Sequence, residues 1–234
     1  MGETGLQLAA AVKHPRSLVR AHLGLGCLYV GKGDLHQALS VLKRALGLCQ
    51  EVELLWDLPI VAGCLGSAYV LSERIDEAVR LRERAIEIEQ TIQSSRMHSP
   101  RWLLPLSEAY LGASRLEEAS TLADRVLEHT RTHKTRGYEA YALRLLGDIA
   151  AQREPSDGEL AEAHYRQALT LADELGMRPL QAHCHRGLGT LYAATGQREQ
   201  ARTALSTAIE MYTSMAMTFW LPQTAAALAQ VEGR

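Results

Sequence analysis

Gly189-Thr190-Leu191-Tyr192-Ala193-Ala194-Thr195-Gly196-Gln197-Arg198-Glu199-Gln200-Ala201 is the stretch that decides the fold. It reads Gly-x-x-Tyr-x-x-x-Gly, then an Ala five residues on, with Leu205 and Ala208 at plus four and plus seven from that Ala. The frame returns near the N-terminus as Gly26, Tyr29, Gly33, Ala38, Leu42 and Ala45. It returns as Gly66, Tyr69, Ala78 and Ala85, where Glu73 replaces the second Gly and Arg82 takes the bulky position. A weaker copy has Ser107, Tyr110, Ser114, Ala119, Ala123 and Val126, and another has Gly147, Ala161, Tyr165 and Ala168. The anchors 26, 66, 107, 147 and 189 stand 40, 41, 40 and 42 residues apart. A period in this range signals a repeat architecture.

Each position has a physical reading. A small anchor lets two helices approach closely, and Tyr three residues on shares its helix face. The second Gly turns the chain out of the first helix. Ala, a bulky residue and Ala at 0, +4 and +7 make one stripe of a second helix. The unit is therefore a hairpin of two amphipathic helices, each hairpin packing on the next. The expected fold is all-α: a right-handed superhelical solenoid of antiparallel hairpins. The repeats span 15–55, 58–97, 100–134, 136–176 and 178–215. Residues 3–13, with Leu6, Leu8, Ala9 and Val12 on one side, read as the second helix of a truncated repeat, as if cut from a longer array. Residues 218–232 read as a capping helix. No segment alternates with period two.

These residues resemble the tetratricopeptide repeat, over nearly the whole chain. The period exceeds the family's usual 34 residues, so helices of about 15–18 residues, roughly 23–27 Å long, are expected.

Local signals punctuate the hairpins. Pro15, Pro59, Pro100, Pro179 and Pro222 recur at helix starts, where a missing N–H costs little. Asp34 with Gln37, Ser114 with Glu117 and Ser156 with Glu159 have capping-box spacing. Residues 152–158 replace the short turn of the fourth copy and read as a surface insertion.

Composition narrows the class. Of 234 residues 47% are hydrophobic but only 5% aromatic, with one Phe, so the core is aliphatic. The net charge of −2 gives no field that would draw nucleic acid or acidic lipid. Arg greatly outnumbers Lys, a compositional sign of a bacterial source. No stretch reaches the ~18 apolar residues of a membrane helix, and the N-terminus lacks signal-peptide design. Cys27, Cys49, Cys64 and Cys184 contain no Cys-x-x-Cys pair and read as free thiols of a cytoplasmic protein.

Little here points to chemistry. His183-Cys184-His185 places its histidines two residues apart, on different sides of a helix. His129 and His133 have i, i+4 spacing but no third ligand. Gly24-x-Gly26 and Gly187-x-Gly189 lack the strand and Lys-Ser/Thr of a phosphate loop. No catalytic residue, metal site or cofactor is expected.

The resemblance implies a concave face lined by the first helix of each hairpin. Carried over, its positions are Arg20, Leu23, Cys27 and Val30; Ile60, Ser67, Val70 and Leu71; Arg101, Leu104, Glu108 and Leu111; Tyr141, Arg144, Asp148 and Gln152; His183, Arg186 and Thr190. The face would be apolar towards the N-terminus and charged towards the C-terminus. The resemblance thus implies a non-catalytic module for a protein or peptide partner, which could be another domain of the parent chain, without nucleic acid or membrane. Exposed ends could also self-associate. A small-molecule sensor is the alternative. The Lys and Asn pattern that clamps a C-terminal carboxylate in chaperone-binding members is not evident.

A narrower resemblance rests on Ala163–Leu169, Leu175–Leu180, Gly187–Tyr192, Met211-Tyr212 and Met217–Leu221. These are similar to the C-terminal repeat region of large bacterial signalling proteins that carry a class III adenylate or guanylate cyclase domain and a regulatory ATPase. That implies a sensory or scaffolding arm.

Overall fold

The computed structural model describes residues 2–91, 100–153 and 157–233. Among them there is no strand. The chain forms two compact units, Met1–Arg115 and Leu116–Arg234.

The first unit holds α1 (Gly2–Val12), α2 (Pro15–Lys32), α3 (Leu35–Glu51), α4 (Leu58–Leu71), α5 (Ile75–Thr91) and α6 (Pro100–Gly112). The second holds α7 (Leu116–Thr132), α8 (Arg136–Gln152), α9 (Gly158–Glu174), α10 (Arg178–Ala194), α11 (Arg198–Ser214), a 3-10 turn (Thr218–Trp220) and α12 (Leu221–Glu232). Within each unit, helices consecutive in the chain pack as antiparallel pairs, as in a helical repeat solenoid. Most have the expected 17 or 18 residues; α4 with 14 and α6 with 13 are shorter.

Why the anchor must be small is visible atom by atom. A Cβ on Gly26 would collide with Leu42, and one on Gly66 with Arg82. On Gly189 it would lie 2.6 Å from Leu205 Cγ, and on Gly147 2.8 Å from the Tyr165 ring. In each case the colliding group is the bulky residue of the second-helix stripe. The flanking alanines of that stripe, Ala38 and Ala45, Ala161 and Ala168, Ala201 and Ala208, are fully buried. Hairpin closure thus fits one large side chain of the second helix over a gap in the first.

The turns repeat as faithfully. The carbonyls of Tyr29, Tyr69, Tyr110 and Tyr192 each accept the backbone N–H five residues on, from Asp34, Arg74, Arg115 and Gln197, all at 2.9 Å. The residue before each donor is left-handed: Gly33 (φ 78°), Glu73 (59°), Ser114 (58°) and Gly196 (79°). Arg74 and Arg115 then stack on the rings of Tyr69 and Tyr110, 4.4 and 4.0 Å from the centroids. A left-handed residue also follows α1 (Lys13), α7 (Lys134), α9 (Gly176) and α11 (Ala216).

The capping reading is corrected in one place. Asp34 does cap α3, its Oδ1 accepting the Gln37 N–H at 3.2 Å. Ser114 sits one residue too early: it holds the left-handed turn position, and Arg115 precedes the first residue of α7. Ser156 lies outside the described residues. The prolines at 15, 59, 179 and 222 do open their helices. Pro105 stands inside α6 and removes one helical hydrogen bond there.

Left-handed backbone costs a non-glycine residue about 1–2 kcal/mol, part of which glycine gives back in the unfolded chain. Glu73→Gly and Ala216→Gly are each expected to stabilise by about 0.5–1 kcal/mol. Thermal melting should rise by about 1–4 °C for each.

A candidate partner-binding surface

In the first unit, most residues read as an apolar groove are taken up by the core. Leu23 and Leu104 are buried, and Val30, Ile60 and Val70 are half-buried against the same cluster as Val19, Leu42 and Leu65. Leu71 and Leu111 are half-buried, as are Ser67 and Glu108. What faces outward is polar: Arg20, Cys27 and Arg101. Three residues before the anchor, Leu23 and Leu104 are packed away rather than left for a partner.

Arg20 has a structural occupation. Its Nε lies 2.7 Å from Asp57 Oδ1, while Arg16 Nε lies 2.8 Å from Oδ2. Asp57 is buried at the start of α4, so the two arginines pin α2 to α4. Cys27 on α2 touches Cys64 on α4, Sγ to Sγ 2.9 Å. Arg82 departs from the repeat most sharply. From the bulky position of α5 it passes under Gly66 and donates from Nη2 to Gly63 O (3.0 Å) and Ser67 Oγ (2.9 Å). Burial holds its pKa down to about 10, with Glu108 acting the other way, so it stays charged at neutral pH. The cavity beside it, lined by Pro59, Gly63, Ala85, Ile86 and Trp102, has about 10 Å³, room for about one water.

The second unit gathers the predicted residues into a cluster. Arg144 on α8 is 15% exposed and pairs with Asp148 one turn on, which is 24% exposed. Asp148 Oδ1 also accepts from Tyr165 OH at 2.7 Å. Tyr165 comes from α9 and fills the gap left by both Gly147 and Gly187. His183 Nδ1 is 2.8 Å from Tyr212 OH, and its ring meets Trp220 edge-on with centroids 4.7 Å apart. Arg186 lies over the Trp220 ring at 5.1 Å, and its Nη1 donates to Gln223 Oε1 at 3.3 Å. Thr190 is exposed and donates back to the Arg186 carbonyl. Tyr141 is exposed at 40% and Gln152 is exposed. Arg144 and Arg186, on neighbouring first helices, thus both lie near His183. Their supports, Tyr165, Tyr212 and Trp220, were not singled out from the sequence as site residues; a polar tip on Tyr165 at a packing position was the available signal.

Titration follows this geometry. Burial first, then the nearby Arg144 and Arg186, hold His183 well below its ordinary value. Burial also lowers His164 and His185. These side chains take up protons less readily in the fold than in the unfolded chain, where they titrate from about pH 6.5 downward. Their contribution is present above that pH and lost as pH falls below it. Melting at pH 5.5 should therefore lie below melting at pH 7.5, and His183→Gln should narrow the gap.

Among the described residues no group of three His, Cys, Asp or Glu is placed to hold a metal ion. His129 and His133 stack on each other at 4.0 Å. No described helix is long and apolar enough to cross a membrane.

Comparison with known proteins places these hairpins. Family models of the tetratricopeptide repeat match residues 19–51 and residues 156–214. Each unit thus contains a stretch that matches a tetratricopeptide repeat model. Protein Kinesin light chain-related 2 of Arabidopsis thaliana is 27% identical over 203 residues, covering 80% of this chain and 29% of that protein. This chain therefore spans less than a third of the curated relative it matches. BtubC from P. vanneervenii is similar with a TM-score of 0.61 at 20% identity, covering 92% of this chain and 89% of that one. A Rap protein complexed with Competence and Sporulation Factor gives a TM-score of 0.71 at 14% identity, with 93% and 62% covered. A signal transduction ATPase with numerous domains and a tetratricopeptide repeat sensor, from Pyrococcus horikoshii, gives 0.59 at 19% identity, with 92% and 32% covered. At these identities the likeness shows the repeat fold. Tetratricopeptide repeats generally mediate protein–protein interactions, and families like these are typically non-enzymatic scaffolds.

Proposed function

We propose that this chain is a non-catalytic module that binds a protein or peptide on the face formed by the first helices of its hairpins, as an arm of a larger bacterial signalling protein. The observation that carries the reading is the cluster on α8 and α10. Arg144 pairs with Asp148, which Tyr165 of α9 holds, while His183 is held by Tyr212 of α11 and Arg186 by Trp220 and Gln223 of the C-terminal segment. Side chains held in place bind with less ordering cost than free ones. The two arginines of the cluster suit an acidic segment of the partner.

The signalling context is supported by the stretches similar to cyclase–ATPase proteins and by the sensor role named for the Pyrococcus ATPase. The Rap protein in complex with Competence and Sporulation Factor offers a parallel for a repeat fold holding a bound signalling factor.

The test is a pull-down from lysate of a bacterium that encodes the parent protein. Arg144→Gln with Arg186→Gln removes both cations while leaving Asp148 its bond from Tyr165. The helical circular dichroism should be unchanged, and affinity for the captured partner should fall about tenfold or more. A partner held equally well by the double variant would place binding elsewhere.

A further inference from the structure

Two thiols meet on the surface of the first unit. Cys27 on α2 is exposed, Cys64 on α4 is half-buried, and both are free, with Sγ atoms 2.9 Å apart. The helices that carry them are already fastened one turn or more away by Arg16 and Arg20 on Asp57. Bringing the sulfurs to bonding distance, about 2.05 Å, takes less than about 1 Å of closure.

The two thiols are chemically unequal. The bond from Cys64 and the charge of Arg101 pull Cys27 below the ordinary thiol value, burial opposing them. The same bond and burial push Cys64 up. Cys27 is thus the readier of the two to ionise and Cys64 the one that keeps its proton longer, the arrangement in which one sulfur attacks and the other resolves. The remaining cysteines make the contrast. Cys49 and Cys184 are buried, and burial first raises them to about 11 and about 12.

We propose that Cys27 and Cys64 are an oxidation site at which a hydroperoxide forms an intrachain disulfide tying α2 to α4. The Cys27 thiolate attacks the peroxide oxygen; the O–O bond breaks, leaving Cys27 as a sulfenic acid and releasing hydroxide or alkoxide. The Cys64 sulfur then attacks Cys27 sulfur while its thiol proton is lost. The S–O bond breaks, the S–S bond forms and water leaves. Two thiols lose two electrons, and one hydroperoxide is reduced by two.

The site does not depend on what the repeats bind. It does sit where α2 and α4 present residues outward, so the crosslink would fix the spacing of the first two hairpins.

The experiment treats the full chain with a small excess of hydrogen peroxide under native conditions, quenches it, and measures intact mass and tryptic peptides without reduction. Cys49 and Cys64 share the tryptic peptide 45–74, so the Cys49→Ala variant is run beside the wild type. The expected result is a monomer lighter by two hydrogens, with peptide 21–32 joined to 45–74 in both. Cys27→Ser should leave Cys64 unoxidised, while Cys64→Ser should trap Cys27 as a sulfenic acid reactive towards dimedone. Oxidation that stops at oxygen adducts of Cys27 in the wild type, joins two chains, or spares Cys27 as fully as Cys184 would overturn the proposal.

Discussion

Ala201→Arg is expected to destabilise the second unit by at least about 3 kcal/mol and to lower its melting temperature by on the order of 10 °C. Ala201 is fully buried, as are Leu205 and Ala208 in the same stripe. The neighbouring anchor, Gly189, has no room for even one added carbon beside Leu205. A guanidinium introduced here would have to be buried without a carboxylate or push α11 off α10. Ala201→Ser, which adds one small polar group, should cost much less. Melting of Ala201→Arg within error of the wild type would contradict the hairpin packing itself.

Tyr165→Ala is expected to cost about 3–5 kcal/mol. The ring is buried and fills the space left by two glycines, Gly147 on α8 and Gly187 on α10. Its loss opens a cavity that neither helix can close without moving. The loss also removes the hydrogen bond that the Tyr165 hydroxyl donates to Asp148. Tyr165→Phe separates the two roles: the ring stays and only the bond goes, at about 1.5 kcal/mol because the acceptor is charged. Asp148 keeps its pairing with Arg144 in that variant. Chemical denaturation of both variants measures the difference. Equal costs for Ala and Phe would mean that the hydroxyl, and not the fit of the ring, holds the helices.

The fold was legible because it is written five times. Gly26 with Leu42 and Gly189 with Leu205 are 16 residues apart in both copies, and the structure sets each pair in contact. Spacing alone could place the tyrosines of the motif on a helix face. It could not show that the carbonyls of Tyr29, Tyr69, Tyr110 and Tyr192 close their turns, because that depends on backbone geometry. The misplaced cap at Ser114 has the same origin. Gly33, Glu73 and Ser114 share one turn position, and a Ser there looks like a capping residue until its backbone angle is known.

The surface was less legible. Projecting positions onto a helix tells which side a residue takes, not what packs over that side. Leu23 and Leu104 were carried onto a binding face and lie in the core. Arg20 proved to be half of a clasp whose other member, Asp57, lies 37 residues on and had no motif to mark it. Arg82 and Tyr165 break the apolar pattern at the bulky position. Both reach past an anchor glycine to a polar residue on the first helix, Ser67 and Asp148. A polar end at a packing position is the trace such supports leave in a sequence.

The central claim is that partners are bound by the first helices. Hydrogen–deuterium exchange of the chain, free and saturated with a partner recovered by the pull-down, tests it most directly. The account predicts added protection in α8 and α10, around residues 141–148 and 183–190, with α9 and α11 little changed. Protection confined to α9, α11 or the hairpin turns would contradict it.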